Sequence, residues 1–313
     1  MTEITSTSQQ FAIVTLTPPP PYDFGRTLAH LPGSPLTVLG DTEDGFFHRT
    51  ITLCGNPVLL QLHSTGTPSE PRLSLQIDGS QLSPETVQAA VHYIESLFCL
   101  TEDLAPMLGL ALRDPVISNL LSRFTGLRPF IIADPFETLL WAIIGQQINT
   151  TFARKLSRTL VTLCNRRLIV GDSSYPLLPT PEDVAVLDED LLRANQFSRQ
   201  KAATILRISR AIISGELDLD ALQFLPDEEA IAALTKFNGI GRWTAEVVLL
   251  RGVGRFTIIP AGDVALRAVI GRAYGLERAA TEVEVREIAE PWGSMRGLLT
   301  VYWWLASHPG LTP

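Results

Sequence analysis

The sequence predicts an α+β protein, with a sheet and one or two helices at the N-terminus and a long helical region after it. Three observations carry this. Short runs rich in Val, Ile, Thr and Leu, broken by Gly, Pro, Asn and Asp clusters, fill the first third. From about residue 103 the apolar spacing becomes helical and stays so. The chain has 313 residues and is 45% hydrophobic, enough to bury the cores of two units. We expect an N-terminal unit over 1–102 and a helical one over 103–313, the latter with room for two subdomains and a cleft between them.

In chain order, 11–17 alternates and is rich in β-branched residues, so it reads as a strand. The prolines 18–21 stop it, and 22–31 can form one short helix. Segments 46–53, 58–63 and 73–77 read as further strands. A helix follows over 83–97: Ser83 is a fit N-cap, Pro84 sits in the first turn, and Val87, Val91, Ile94 and Phe98 share a face. In the helical region, 134–148 opens on Asp-Pro, a cap followed by a first-turn proline. Helices are predicted over 150–164, 181–187, 188–194, 198–214, 227–237, 242–250, 263–274, 281–289 and 295–307. Segments 171–181 and 251–262 are expected to be loops.

The net charge is −8, which argues against a protein that holds nucleic acid by bulk charge. A local basic face and backbone N–H groups remain compatible with that charge. Cys54, Cys99 and Cys164 are too few and too scattered for a zinc site, a disulfide framework or a four-cysteine iron–sulfur cluster. The N-terminus lacks a basic n-region and a long apolar core, and no apolar run reaches membrane-spanning length. The expectation is a cytoplasmic monomer without a membrane anchor.

The most informative stretch is LTKFNGIGRWTAEVVLLRGVGRFTIIPAGD, residues 234–263. Only Asn238-Gly239-Ile240-Gly241 joins two predicted helices. Its glycines allow positive φ and close approach of another backbone, and its N–H groups beside a helix N-terminus form an anion-binding nest. Carbonyls on the other edge can hold a monovalent cation. The plain alternative is a helix connection whose glycines serve as a C-cap. Asp263 opens the next helix, and an N-cap fully explains an Asp there. It also lies 22 residues beyond Gly241, where a carboxylate can sit beside the sugar whose phosphate the hairpin holds.

The stretch resembles the helix-hairpin-helix DNA glycosylase superfamily, and within it the chain is similar to the DNA-3-methyladenine glycosylase II family. The likeness runs through PPPYDF at 19–24, SLFCLTEDL at 96–104, RPFIIADPFETLLWAIIGQQIN at 128–149, FSRQKAATILRISRAI at 197–212, GIGRWTAEVVLL at 239–250, PAGDVALR at 260–267 and PWGSMRGLLTVYWW at 291–304. It implies an α+β N-terminal domain followed by an all-α helix-hairpin-helix glycosylase region that acts on double-stranded DNA with damaged bases. Asp263 is then the catalytic carboxylate, and Gly239, Ile240 and Gly241 hold the phosphate. Carbonyls of Thr235, Phe237 and Ile240 hold a structural monovalent cation, with no other cofactor. The Gln146-Gln147 pair stands where the family inserts a wedge.

Trp243 matches an aromatic residue at the mouth of the base pocket. Strand-cutting relatives carry a lysine there, so the resemblance implies a monofunctional enzyme that removes the base and leaves an abasic site. Val247 replaces a possible tyrosine one turn later. Met295 replaces a second pocket tryptophan, with Trp292 close enough to compensate. Gln147 is more polar than the usual leucine wedge. Arg199, Lys201 and Arg242, with Arg251, Arg255, Arg267 and Arg272 around Asp263, are expected to form a local basic face. Two other readings stay open: a glycosylase for an oxidised or deaminated base, and a non-catalytic hairpin module in which Asp263 only caps a helix.

Overall fold

The computed structural model describes residues 2–7, 10–31, 42 and 44–307. Five antiparallel strands form the N-terminal sheet in the order β1-β2-β5-β4-β3: β1 Thr2–Thr7, β2 Phe11–Leu16, β3 Phe46–Leu53, β4 Asn56–Ser64 and β5 Leu73–Gly79. β1 is an addition to the sequence reading; its Thr- and Ile-containing run pairs with β2. α1, Phe24–His30, is capped by Asp23, whose side chain accepts from Arg26 N. α2, Pro84–Leu97, is capped by Ser83 as expected and packs on the sheet through Val87, Val91 and Ile94, which are at most 4% exposed.

The helical region begins with α3, Ala105–Ala111, and α4, Pro115–Ser122. α5 runs Pro135–Gly145, capped by Asp134, and α6 runs Thr150–Cys164, capped by Asn149. α5 therefore ends three residues before the predicted 148. Gln146 turns extended (ψ 128°), Gln147 is left-handed (φ 57°), and Asn149 starts the next helix. The expected loop at 171–181 is partly a hairpin: β6, Arg167–Val170, pairs with β7, Ser173–Pro176, around a Gly171-Asp172 turn. The signal was present in Leu168-Ile169-Val170 followed by a turn-forming Gly-Asp pair. Leu168 and Leu177 pack on Leu59, and Thr50 donates to Pro176 O at 2.6 Å, so the hairpin lies against the β3/β4 edge of the sheet.

α7 (Pro181–Ala185), α8 (Glu189–Ala194), α9 (Arg199–Ile213), α10 (Asp227–Thr235) and α11 (Arg242–Arg251) follow. α12 (Val264–Ala273), α13 (Glu282–Ala289), a 3-10 segment (Glu290–Met295) and α14 (Arg296–Ser307) complete the described chain.

Two hydrophobic cores organise these elements. The first unites the sheet, α2 to α4, and residues 127–132 with the C-terminal helices α12 to α14. The second is built from α5, α6 and the helices through α11, ending at Ile258. A buried ion pair joins them. Arg49 of β3, fully buried, donates to Glu137 of α5 and, through Nε at 3.2 Å, to the hydroxyl of Tyr93 on α2. The chain crosses back between the cores at 252–262, and the cleft described next lies along that seam.

Candidate active site and nucleic-acid interface

The hairpin between α10 and α11 is built as the sequence suggests. Gly239 has φ 94°, and a Cβ there would lie 2.3 Å from Thr204 Oγ1 of α9, so glycine is required twice over. Ile240 is 4% exposed and plugs the second core. Gly241 is the N-cap of α11, with no side-chain cap and open space where a Cβ would stand. The Ile240 amide already donates to Phe237 O at 3.0 Å. That changes the expected set of phosphate donors to Gly239, Gly241 and the first turn of α11, where amides are free of intrahelical partners. Among the described residues no backbone N–H donates to the carbonyls of Thr235 or Ile240. Those two oxygens suit a monovalent cation, while Phe237 O shares itself with the Ile240 amide.

Asp263 is both the cap of α12 and a residue of the cleft. Its Oδ1 accepts from the Leu266 amide at 2.8 Å and from the Trp304 indole N–H at 3.1 Å. Its Oδ2 accepts from the Trp243 indole N–H at 3.1 Å. All three donors are neutral, so the carboxylate is fixed in place without a cation bonded to it. It opens on a cavity of about 760 Å³ lined also by Phe130, Trp141, Val247, Arg251 and Leu305. Cap and site residue are thus one group, and neither role excludes the other.

The second indole that bonds Asp263 in the pocket is that of Trp304, and the positions expected to supply a second pocket aromatic, Trp292 and Met295, do not line it. Trp292 is 3% exposed and belongs to the first core, Met295 packs against that core, and neither lines the cleft. Gly293, left-handed at φ 57°, breaks the helical run between them. Val301, Trp304 and Leu305 instead share the cleft-facing side of α14, while Trp303 turns into the core. The i, i+3, i+4 spacing of those three residues was legible, but only a fold could say which face met Asp263.

The wedge pair divides. Gln146 bridges the end of α5 to the hairpin, its side-chain amide donating to Gly239 O at 3.0 Å and Thr244 Oγ1 at 3.1 Å. It braces the site and is not available to enter a duplex. Gln147 is exposed, left-handed and on the rim of the cleft, which leaves it as the intercalating candidate.

The expected basic face is largely spent on internal contacts. Lys201 is 9% exposed and donates to Ile144 O at 2.7 Å, capping the C-terminal turn of α5; burial lowers its pKa. Arg242 is held by Glu228 at 2.5 Å and by buried Glu246 at 2.9 Å. Arg255 is bonded to Asp227 and Leu222 O, and Arg267 to Ala280 O. Arg199 is exposed, 3.8 Å from Glu189, and does not line the cleft. Of the seven only Arg251 reaches it. A separate concave basic surface, about 610 Å³, is formed by Arg154, Lys155 and Arg158 of α6, the helix that begins just after the Gln147 turn. Nothing in the local pattern around Asp263 points to it.

Arg251 stands two turns after Trp243 on α11, and its guanidinium carbon lies 5.3 Å from the Trp304 ring centroid. Burial draws its pKa down to about 10, against the attraction of Asp263 and Glu137, so it is cationic at neutral pH.

Comparison places this architecture. A family model described as "HhH-GPD superfamily base excision DNA repair protein" matches residues 140–294. The DNA-3-methyladenine glycosylase of Bacillus subtilis (strain 168) is 29% identical over 292 residues, 93% of this chain and 96% of the relative. The DNA-3-methyladenine glycosylase 2 of Escherichia coli (strain K12) is 25% identical over 292 residues, 91% and 94% of the two chains. The structure of the 3-methyladenine DNA-glycosylase from Archaeoglobus fulgidus superposes with a TM-score of 0.82 at 25% identity, covering 94% of this chain and 98% of that one. With the hairpin, the capped Asp263 and the indole-lined cleft in one arrangement, the chain belongs to the HhH-GPD superfamily of base excision DNA repair proteins, in its DNA-3-methyladenine glycosylase branch.

Proposed function

We propose that this protein is a monofunctional DNA glycosylase that releases alkylated purines of the 3-methyladenine and 7-methylguanine type from duplex DNA. The observation that carries the reading is the Asp263 carboxylate. Neutral donors hold both of its oxygens, so its negative charge is fixed at the cleft and not cancelled by a salt bridge.

The chemistry follows from the substrate. The hairpin amides and the α11 N-terminus take a backbone phosphate, and the target nucleotide leaves the stack at a cost of a few kcal/mol, less for a damaged base. Gln147 occupies the space it leaves. An alkylated purine is already cationic and needs no proton to depart, and indole faces attract it by roughly 0.5–2 kcal/mol. The glycosidic electron pair leaves with the base, which becomes neutral. Positive charge grows on the sugar, where Asp263 stabilises it electrostatically. Water adds at C1′ and gives up a proton, leaving an abasic site.

The lysines support hydrolysis without strand cleavage. The whole chain has three, Lys155, Lys201 and Lys236, and none lines the cleft. Trp243 occupies the position at which strand-cutting relatives present their lysine, so no lysine amine stands there to form a Schiff base.

The test uses duplex oligonucleotides carrying single 3-methyladenine or 7-methylguanine lesions. Free base should appear while the strand stays intact until alkali is added, and borohydride should trap no adduct. Absence of release from a wide lesion panel with DNA binding retained would overturn the reading. Strand scission without alkali would overturn its monofunctional part.

A further inference from the structure

Arg251 is a half-buried cation without a hydrogen-bonded partner among the described residues, and it lines the cleft. Its Nε is fully covered and unpartnered, and among the described residues its guanidinium makes no hydrogen bond. Trp243, Val247 and Arg251 stand at i, i+4 and i+8 on α11 and all line the cleft, so Arg251 lies two turns along the wall from the rim tryptophan. Its backbone is fixed from behind, because the Arg251 carbonyl accepts from the amides of Ile132 and Ala133. Its position in the last turn of α11 favours a cation, and the Trp304 face covers one side of it. Its terminal nitrogens, not covered like Nε and without an acceptor in the protein, are free to donate to an acceptor brought into the cleft.

We propose that Arg251 is a specificity-determining residue that donates to the carbonyl edge of the flipped base and so favours 6-oxopurines over 6-aminopurines. This rests on the glycosylase reading above. Guanidinium carries only donors. A guanine-type base offers O6 as an acceptor even when N7 is alkylated, whereas an adenine-type base turns its amino donors toward the same edge. Loss of such a pairing leaves a donor facing a bound base without an acceptor, which is why hydrogen-bonding pockets discriminate strongly. Asp263 acts on the sugar and Arg251 on the base, so the two charges work at opposite ends of the breaking bond.

The experiment compares single-turnover release of 7-methylguanine and 3-methyladenine by wild type, Arg251→Met and Arg251→Lys, each checked by thermal melting. The ratio of 7-methylguanine to 3-methyladenine release should fall about tenfold or more in both variants, since Lys keeps the charge but loses the planar fork. A ratio that moves less than about threefold, or one that moves in Met alone, overturns the proposal. Quenching of indole fluorescence by free 7-methylguanine and free 3-methyladenine is measured in parallel. If wild type releases neither base, the glycosylase reading fails. The inference then stands if wild type binds the free 6-oxopurine more tightly than the 6-aminopurine and Arg251→Lys does not. It falls if the two proteins show the same preference.

Discussion

Two arginines, one buried and one half-buried, each with a carboxylate nearby, divide the molecule into a part built for stability and a part built for chemistry. At the seam between sheet and α5, Arg49 is bonded to Glu137 and to Tyr93. In the cleft, Arg251 acts on Asp263 only through space, and the Asp263 oxygens are bonded by two indoles and an amide. The Glu137 charge is consumed where it stands. The Asp263 charge is positioned but left uncancelled, which an electrostatic stabiliser of a cationic sugar requires. At Asp263, neutral donors orient both carboxylate oxygens and leave their negative charge for the substrate.

The comparison breaks first at the seam. Arg49→Met should destabilise the protein by about 3–5 kcal/mol in denaturant unfolding, because Glu137 is left buried and unpaired. Arg251→Met should cost clearly less, since no hydrogen bond is lost with it.

The seam also has a pH signature. Burial raises Glu137 to about 7 even against the pull of Arg49, which lowers it. A carboxyl raised in the folded state contributes stability that is present below its unfolded pKa and is lost as pH rises through the folded one. Deleting Arg49 removes the lowering influence and moves the folded pKa higher. The penalty of Arg49→Met should therefore grow between pH 5 and pH 8, and Arg49→Met with Glu137→Gln should flatten that slope.

In the cleft, Trp304→Phe removes one donor to Asp263 and should slow base release about tenfold, the scale of one hydrogen bond to a charged group. Trp292→Phe alters an indole buried in the first core, so it should lower the melting temperature and leave the rate per folded molecule close to wild type. Equal rate losses in both variants would erase the distinction between core and cleft. The smallest effect is at the rim. Gln147→Gly should relieve its left-handed backbone, adding up to about 1 kcal/mol of stability, while slowing excision by removing the side chain that fills the flipped-out gap.

The hairpin, Asp263 and Trp243 were legible because they lie within one short stretch whose glycines and cap have local causes. Strands and helices were legible to within a few residues wherever caps and alternation coincided, as at Ser83 and Asp134. What the sequence hid depends on contacts across the fold. Trp304 meets Asp263 from 41 positions away. Trp292, nearer in the motif, turns inward behind the Gly293 break. Lys201 and Arg242 look like phosphate ligands in one dimension, yet a helix end takes the first and two glutamates take the second. Partner identity, more than element type, is the information that local pattern lacks.

Asp263 acts through its charge and does not merely cap α12. Release of 7-methylguanine by Asp263→Asn tests it most directly, because Asn is about as good an N-cap as Asp and should keep stability within about 1 kcal/mol. The variant should keep a fold intact by melting and retain DNA binding, with base release reduced by about a thousandfold or more. Release within about tenfold of wild type by this variant would contradict a role for the charge.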